Sequence, residues 1–353
     1  MEIALIILSY MLSILGFFPA FGITHWTFRV FDYIRIQLVV IQLLILGLSF
    51  FLYEVYDITT IGSQIVLILS IIYQLVIIVP YLPISFRSKK QQDTATQMSI
   101  ISVNVLQKNK EYQRLISLIE NTKPDIVLTM ETNQDWEDAL KSIDHQYKYS
   151  CKVPLENRYG MHFFTNLKVN KVKKHFFVSD DRPAIEAHLV SKNNHDFVFW
   201  GIHPPPPSPT EQPTSRQKDA EMMMVAKMIR ESNFPNLVTG DFNNVCWSRS
   251  SKLFSKISTL NDSRVGKGIH GTFPVRPSIC RFPIDLLFNS KEIEIIELKT
   301  LSEIGSDHLP IFAKFTVNSS SFHTTKSMDS ELKEEANDII KEGHKAAEEE
   351  EEA

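Results

Sequence analysis

The chain has 353 residues, 44% of them hydrophobic and 22% charged, which excludes a low-complexity or wholly disordered polypeptide. A formal net charge of -4 provides no electrostatic footprint for long nucleic acid and counts against a nuclease with a broad basic groove. Its three cysteines, Cys151, Cys246 and Cys280, are odd in number and lack CxxC spacing, so neither a disulfide framework nor a cysteine zinc site is expected.

Hydropathy divides the chain sharply. No charged residue occurs from Ile3 to Phe28, none between Arg35 and Glu54, and none between Asp57 and Arg87. Each stretch can cross a hydrocarbon core of about 30 Å as a helix of roughly 20 residues. Transmembrane helices are therefore predicted near Ile3 to Ile23, Ile36 to Tyr53 and Ile61 to Ile84, with Trp26, Tyr33, Tyr53, Tyr56 and Tyr81 near their ends. A cleaved signal peptide does not suit the first, which lacks a basic n-region and precedes two more apolar spans. Arg29 and Arg35 lie in the first connection, and Arg87, Lys89 and Lys90 follow the third span. The positive-inside rule then sets the N-terminus outside and the C-terminal domain in the cytoplasm, at the plasma (inner) membrane, with an external site as the alternative.

Residues 1–87 thus form a membrane domain, and the polar segment 88–97 reads as a juxtamembrane linker. From 98 to 317 the pattern is globular. Strands are expected at Met98 to Val105, Ile126 to Met130, Met161 to Phe164, His175 to Val178, Ala184 to Val190 and Phe197 to Ile202. Further strands are expected at Asn236 to Thr239, Pro283 to Asn289, Ile293 to Leu298 and Leu309 to Phe315, with helices at Glu111 to Asn121 and Thr214 to Ser232. Met222, Met223, Met224 and Met228 on the second helix read as core filler. Strands outnumber helices and most are joined by turns, which predicts a two-sheet α/β sandwich rather than a doubly wound parallel sheet. Residues 318–353 turn Ser-rich and then acidic, the composition of a solvated tail, mostly disordered or loosely helical.

Six motifs put a carboxylate, amide or imidazole in a polar gap of an otherwise apolar run: Ser102-Val-Asn104, Thr129-Met-Glu131, Gly201-Ile-His203, Gly240-Asp-Phe-Asn243, Pro283-Ile-Asp285 and Ser306-Asp-His308. Sheet edges can aim such side chains into one cleft, and their types suit a hard cation, a phosphate and an activated water. Glu131 ends an apolar strand, where a carboxylate is costly unless it is exposed, paired or bound to metal. Capping of the next helix is its structural alternative. Asp241 and Asn243 are two apart, so a strand end points both to one side, where one holds or deprotonates water and the other orients phosphate. A simple Asp/Asn turn competes with that reading.

The segments Asn104-Val-Leu-Gln-Lys-Asn109, Pro124 to Glu131, His203 to Pro207, Gly240 to Asn243, Gly271-Thr-Phe-Pro274, Ile284-Asp285 and Gly305 to Pro310 occur in the order seen in the endonuclease/exonuclease/phosphatase superfamily, with its deoxyribonuclease-I-like fold. The chain resembles that superfamily throughout 98–317. It looks like the branch with three N-terminal membrane helices that includes glycopeptide-resistance accessory proteins. The resemblance implies a hydrolase of phosphate ester or pyrophosphate bonds that uses Mg²⁺ or Mn²⁺. By resemblance Glu131 is the principal metal ligand, joined by Asn104 and Asp307. Asp285 orients His308, His203 is a second imidazole, and Asp241 and Asn243 complete the catalytic set. Asn109, which also suits a loop-orienting role, and Arg216 are candidate substrate contacts. The chain departs from the branch at Leu286, where a histidine commonly follows the aspartate, and this bears on the shape of the substrate pocket.

The expected protein is a membrane-anchored, divalent-metal-dependent phosphoesterase cutting a phosphodiester, phosphomonoester or pyrophosphate that is lipid-linked. Two other readings stand beside it, a membrane-tethered nuclease and a catalytically inactive membrane binding module. Substrate head group, metal count and oligomeric state are not legible in the sequence.

Overall fold

The computed structural model describes residues 1–83, 94–321 and 328–352. The chain opens with α1 (Glu2–Phe17), α2 (Trp26–Tyr33), α3 (Arg35–Leu52) and α4 (Ile58–Ile78). Three segments, Glu2–Phe21, Arg35–Leu52 and Ile58–Tyr81, are helical, long and apolar enough to cross a membrane. They are joined by polar contacts that have no competing water in a bilayer: Gln74 Nε2 donates to Gln42 Oε1 at 2.6 Å, and Gln42 Nε2 to the Leu12 carbonyl at 2.8 Å. The third helix ends at Tyr81, short of the expected Ile84. Most of the expected linker 88–97, with Arg87, Lys89 and Lys90 beside it, lies outside the described residues; within it Thr94–Thr96 form a 3₁₀ turn.

The rest of the chain supplies β1 (Met98–Asn104), α5 (Tyr112–Thr122), β2 (Ile126–Met130), α6 (Gln134–Leu140), β3 (Tyr149–Val153), β4 (Met161–Thr165), β5 (Lys168–Phe176), β6 (Pro183–Val190) and β7 (Asp196–Ile202). It continues with α7 (Arg216–Glu231), β8 (Asn236–Asp241), α8 (Arg249–Ser258), β9 (Asn261–Asp262), β10 (Asp285–Asn289), β11 (Ile293–Thr300), β12 (Ile311–Val317) and α9 (Ser330–Glu351). The strands form two six-stranded sheets, ordered β11-β12-β1-β2-β4-β3 and β5-β6-β7-β8-β10-β9. β1 with β2 and β7 with β8 run parallel, and the remaining pairs are antiparallel.

Period-two alternation builds the layers. Ile100, Leu128, Phe199, Leu237 and Leu287 fill the space between the sheets. Their out-of-phase neighbours Ile101, Val103 and Val127 pack under α5 and α6, while Val198, Val238, Leu286 and Phe288 pack in the core beneath α7 and α8. The same parity carries to the strand ends. Asn104 is in phase with Ile100, His203 with Phe199, Asp241 with Leu237 and Asp285 with Leu287, so all four point between the sheets at one end of the sandwich. Leu286 is out of phase and fully buried in the outer core, so the departure noted at that position falls away from this end.

Two expectations need correction. The strand predicted at His175 to Val178 begins earlier, as β5 from Lys168. The tail expected to be mostly disordered or loosely helical carries over Ser330–Glu351 a regular, packed helix, α9, capped by Asp329 and laid against α7. Leu332, Ala336, Ile339 and Ile340 recur at helical spacing and join the outer core, and Gly343 allows a close crossing, since a Cβ there would stand 2.1 Å from that of Ala220. The acidic residues are used as well: Glu349 pairs with Arg216 at 3.0 Å, and Glu335 with Arg249.

Candidate active site

At the shared end of the two sheets the polar strand ends meet. β8 and β10 are in register with Asp241 directly opposite Asp285, both 1% exposed. Two like charges so placed repel unless a cation separates them. His308 does so: its Nδ1 lies 2.9 Å from Asp285 Oδ2 and its Nε2 3.6 Å from Asp241 Oδ2. Burial alone would lower the His308 pKa, but the Asp285 and Asp241 carboxylates outweigh it and push it up to about 10. The loop carrying His308 is tied to β1 through Ser306, whose hydroxyl donates to the Asn104 carbonyl at 2.7 Å and accepts the His308 N–H at 3.0 Å.

Asn104 bridges the two sheets. Its Nδ2 donates to Glu131 Oε1 at 2.8 Å and to Asp241 Oδ2 at 3.1 Å. Glu131 has a left-handed backbone, φ 60°, which turns its carboxylate into the cleft, where it also accepts the Gln107 N–H at 3.1 Å. Burial raises the pKa of Glu131, and the nearby Asp307 carboxylate adds to the rise. Burial likewise raises Asp241 and lowers His203, whose Nε2 stands 3.7 Å from Asp241 Oδ2. Gly240 is required at its position, because φ is 152° and a Cβ there would lie 1.8 Å from the Ile202 carbonyl oxygen. Asn243 follows in a left-handed turn, φ 46°, its N–H donating to Asp241 Oδ1 at 2.9 Å and its Nδ2 to the Pro204 carbonyl at 3.0 Å. The turn and the strand-end geometry therefore coexist at this motif.

The structure brings Asn104, Glu131, His203, Asp241, Asn243, Asp285, Asp307 and His308 together at or against one cleft of about 930 Å³. Two expected substrate contacts are not part of it. Asn109 is buried in the neighbouring loop, its Nδ2 donating to the carbonyls of Val105 and Ile304. That is the loop-orienting role, and it leaves no amide free for substrate. Arg216 faces α9 and pairs with Glu342 and Glu349.

Sequence reading missed a whole wall. Trp26, Arg29, Val30, Tyr33 and Ile34, from α2 and its end, line the cleft together with Phe273, Phe282 and Ile284, Tyr33 lying against Phe282. Tyr33 donates its hydroxyl to the Asn243 carbonyl at 2.6 Å, and Lys218, whose pKa burial lowers to about 8, donates to the same oxygen at 3.3 Å. Arg29 pairs with the buried Asp219 at 3.3 Å. The available signal was the helical spacing of Trp26, Val30 and Tyr33, hidden because the segment reads as a loop between spans.

The donor set fits a hard divalent cation. Among the described residues no Lys or Arg pairs with Glu131, although its carboxylate is largely shielded from water and shares the cleft with Asp307. A second grouping, Asp241, Asp285 and His308, has one donor atom from each within 4.8 Å of the others, and Asp285 Oδ1 is buried without a hydrogen-bond partner. In that grouping His308 Nδ1 already contacts Asp285, so a cation there would displace the imidazole from its partner.

The sequence profile described as "Endonuclease/Exonuclease/phosphatase family" matches residues 101–308. No curated protein matches the chain. Among solved structures, D. rerio TDP2 complexed with single strand DNA product is 16% identical with a TM-score of 0.54, covering 64% of this chain and 100% of that one. The human Nocturnin catalytic domain with bound sulfate anion is 15% identical with a TM-score of 0.52, over 64% of this chain and 96% of that one. An endonuclease/exonuclease/phosphatase family protein from Bacteroides thetaiotaomicron is 18% identical with a TM-score of 0.52, over 65% and 98%. At these identities the likeness is one of fold.

Proposed function

The chain belongs to the endonuclease/exonuclease/phosphatase family, and from that premise we propose a membrane-anchored, divalent-cation-dependent phosphohydrolase whose phosphodiester, phosphomonoester or pyrophosphate substrate is lipid-linked. The observation that carries this reading is the union of acidic and imidazole side chains from both sheets in one cleft, one wall of which comes from the segment between two candidate membrane spans. Within the family, the three N-terminal spans favour the branch that includes glycopeptide-resistance accessory proteins.

Glu131 and Asp307, with Asn104, would hold Mg²⁺ or Mn²⁺, which when bound supplies positive charge that polarises a phosphoryl oxygen. Asp241, its basicity raised by burial, accepts a proton from the attacking water. Asn243, fixed by Asp241, Tyr33 and Lys218, orients the phosphate. His308, kept cationic by Asp285, stabilises charge growing on the phosphoryl group. His203, kept neutral by burial, donates a hydrogen bond to a phosphoryl or leaving oxygen.

A membrane-tethered nuclease is the second reading, supported by Lys108, Lys110 and Arg158 at the cleft. Lys110 and Arg158 are already paired, with Asp135 and Glu211, which weakens a phosphate-backbone track. The retained acids and histidines speak against an inactive binding module. Full-length protein, stripped with EDTA and resupplied with Mg²⁺ or Mn²⁺, should hydrolyse a lipid phosphate or pyrophosphate in vesicles faster than single-stranded DNA. Cleavage of DNA alone selects the nuclease, and loss of no activity on chelation rejects the cation requirement.

A further inference from the structure

We propose that α2 is a specificity wall, and that the cleft seats the hydrocarbon stem attached to the substrate's phosphate. This rests on the phosphohydrolase reading. A continuous run of rings leads away from the catalytic imidazole: Phe273 lies 4.8 Å from His308, Phe282 lies 5.9 Å from Phe273, and Tyr33 lies 5.4 Å from Phe282. It ends on α2. There Trp26, Val30 and Ile34 extend the apolar lining at helical spacing.

The charges of α2 are engaged elsewhere. Arg29, although it lines the cleft, is paired with Asp219 of α7, and Asp32 with Arg35 of α3 at 2.8 Å, so both charges of α2 are neutralised by neighbouring helices and what remains of its cleft face is mainly carbon. Ile34 immediately precedes Arg35, the first residue of a candidate span, so the apolar lining runs to the head of a membrane helix. A phosphate held by the acidic and imidazole end therefore has a carbon-lined path from its ester oxygen toward the bilayer surface. The occupant this fits is the alkyl, acyl or prenyl stem of an amphiphilic phosphate. Stacked nucleobases fit less well, because the rings are packed edge-on or tilted against one another, at 83° for Tyr33 with Phe282 and 48° for Phe273 with Phe282, and do not stand as open parallel faces.

The test is a homologous series of ethyl, butyl, hexyl and octyl phosphates and the matching alkyl p-nitrophenyl diesters, each below its micellar concentration, with full-length protein in nanodiscs and Mg²⁺. The expected kcat/KM rises up to about fourfold for each methylene laid on the wall. In a Val30→Ser, Ile34→Ser double variant that elutes and melts as a folded protein, the octyl-to-ethyl ratio falls toward one. A flat series in the unaltered protein overturns the proposal without need of the variant, and so does a ratio unchanged by the two substitutions. Hydrolysis of none of the esters, nor of octyl pyrophosphate assayed beside them, removes the phosphohydrolase reading and this one with it. A single-stranded 12-mer cleaved in preference to every alkyl ester, and cleaved more slowly by the double variant, assigns the wall to nucleic acid and overturns the proposal.

Discussion

His308 Nδ1 lies 2.9 Å from Asp285 Oδ2, and in the proposed mechanism the two act as one unit, the carboxylate setting the ring orientation and holding its charge. His308→Ala should lower kcat by about 100-fold or more with a smaller change in KM, and Asp285→Asn should do the same to a lesser extent. The double variant should be little worse than His308→Ala alone; additive losses in the cycle would show that the two do not work together. The couple also predicts a pH dependence of stability. Its folded-state pKa of about 10 is above the ordinary imidazole value, so its stabilisation is complete below about pH 6.5 and is lost as pH rises through 10. Melting curves in EDTA should show that loss between these values, and Asp285→Asn should reduce it; an unchanged profile in the variant would remove Asp285 as the cause.

At the scale of elements, α9 is the clearest test of how the outer layer is held. Ala336 is fully buried where α9 meets the outer core, so Ala336→Asp places an unpaired carboxylate there and should cost about 3 kcal/mol, or free α9 to proteolysis. An unaltered melting temperature with α9 still protected would show that this contact contributes little. The same helix shows what the sequence conceals. The stripe Leu332, Ala336, Ile339, Ile340 is diluted by glutamates, and composition outweighs periodicity when a segment is judged by charge. β1, β2, β6, β7 and β8 were legible because each is a largely apolar run with clear boundaries, and α7 because its apolar residues recur at helical spacing among charged ones. α8 and β3 were not, since Arg249–Ser258 and Tyr149–Val153 are mostly polar and depend on the neighbours they pack against. The strand-end residues Asn104, Glu131, Asp241, Asp285 and His308 stood out as polar groups in apolar surroundings. α2 did not, because its role depends on a contact between segments about 200 residues apart, such as Tyr33 with Asn243.

At the scale of the molecule, the two-sheet body is docked on the apolar N-terminal helices by specific bonds. Tyr81 donates to the Cys246 carbonyl at 2.9 Å, Trp247 Nε1 to the Asp32 carbonyl at 2.8 Å, and Gly266 N–H to the Pro80 carbonyl at 2.8 Å. The cleft is thus held at a fixed place beside the three apolar helices, and under the proposed function a lipid substrate would meet it there at high local concentration. Arg29 and Arg35 are consumed by internal ion pairs, which leaves Arg87, Lys89 and Lys90 as the basis for placing the domain in the cytoplasm. Cys151 and Cys246 are buried, so a Cys280→Ser protein with Lys291→Cys carries one exposed thiol on the catalytic domain. Intact cells should leave that thiol unlabelled by an impermeant maleimide until they are permeabilised; ready labelling before permeabilisation puts the site outside.

A cation-dependent phosphohydrolase site at the membrane, as proposed, depends above all on the Glu131 carboxylate. The deciding measurement is phosphate release from a lipid phosphate in vesicles by reconstituted full-length protein and by Glu131→Gln, each titrated with Mg²⁺. Release should depend on Mg²⁺ in the native protein and fall by about 100-fold or more in a folded Glu131→Gln protein, with a weakened response to the cation. Equal rates and equal Mg²⁺ dependence in the two proteins would contradict it.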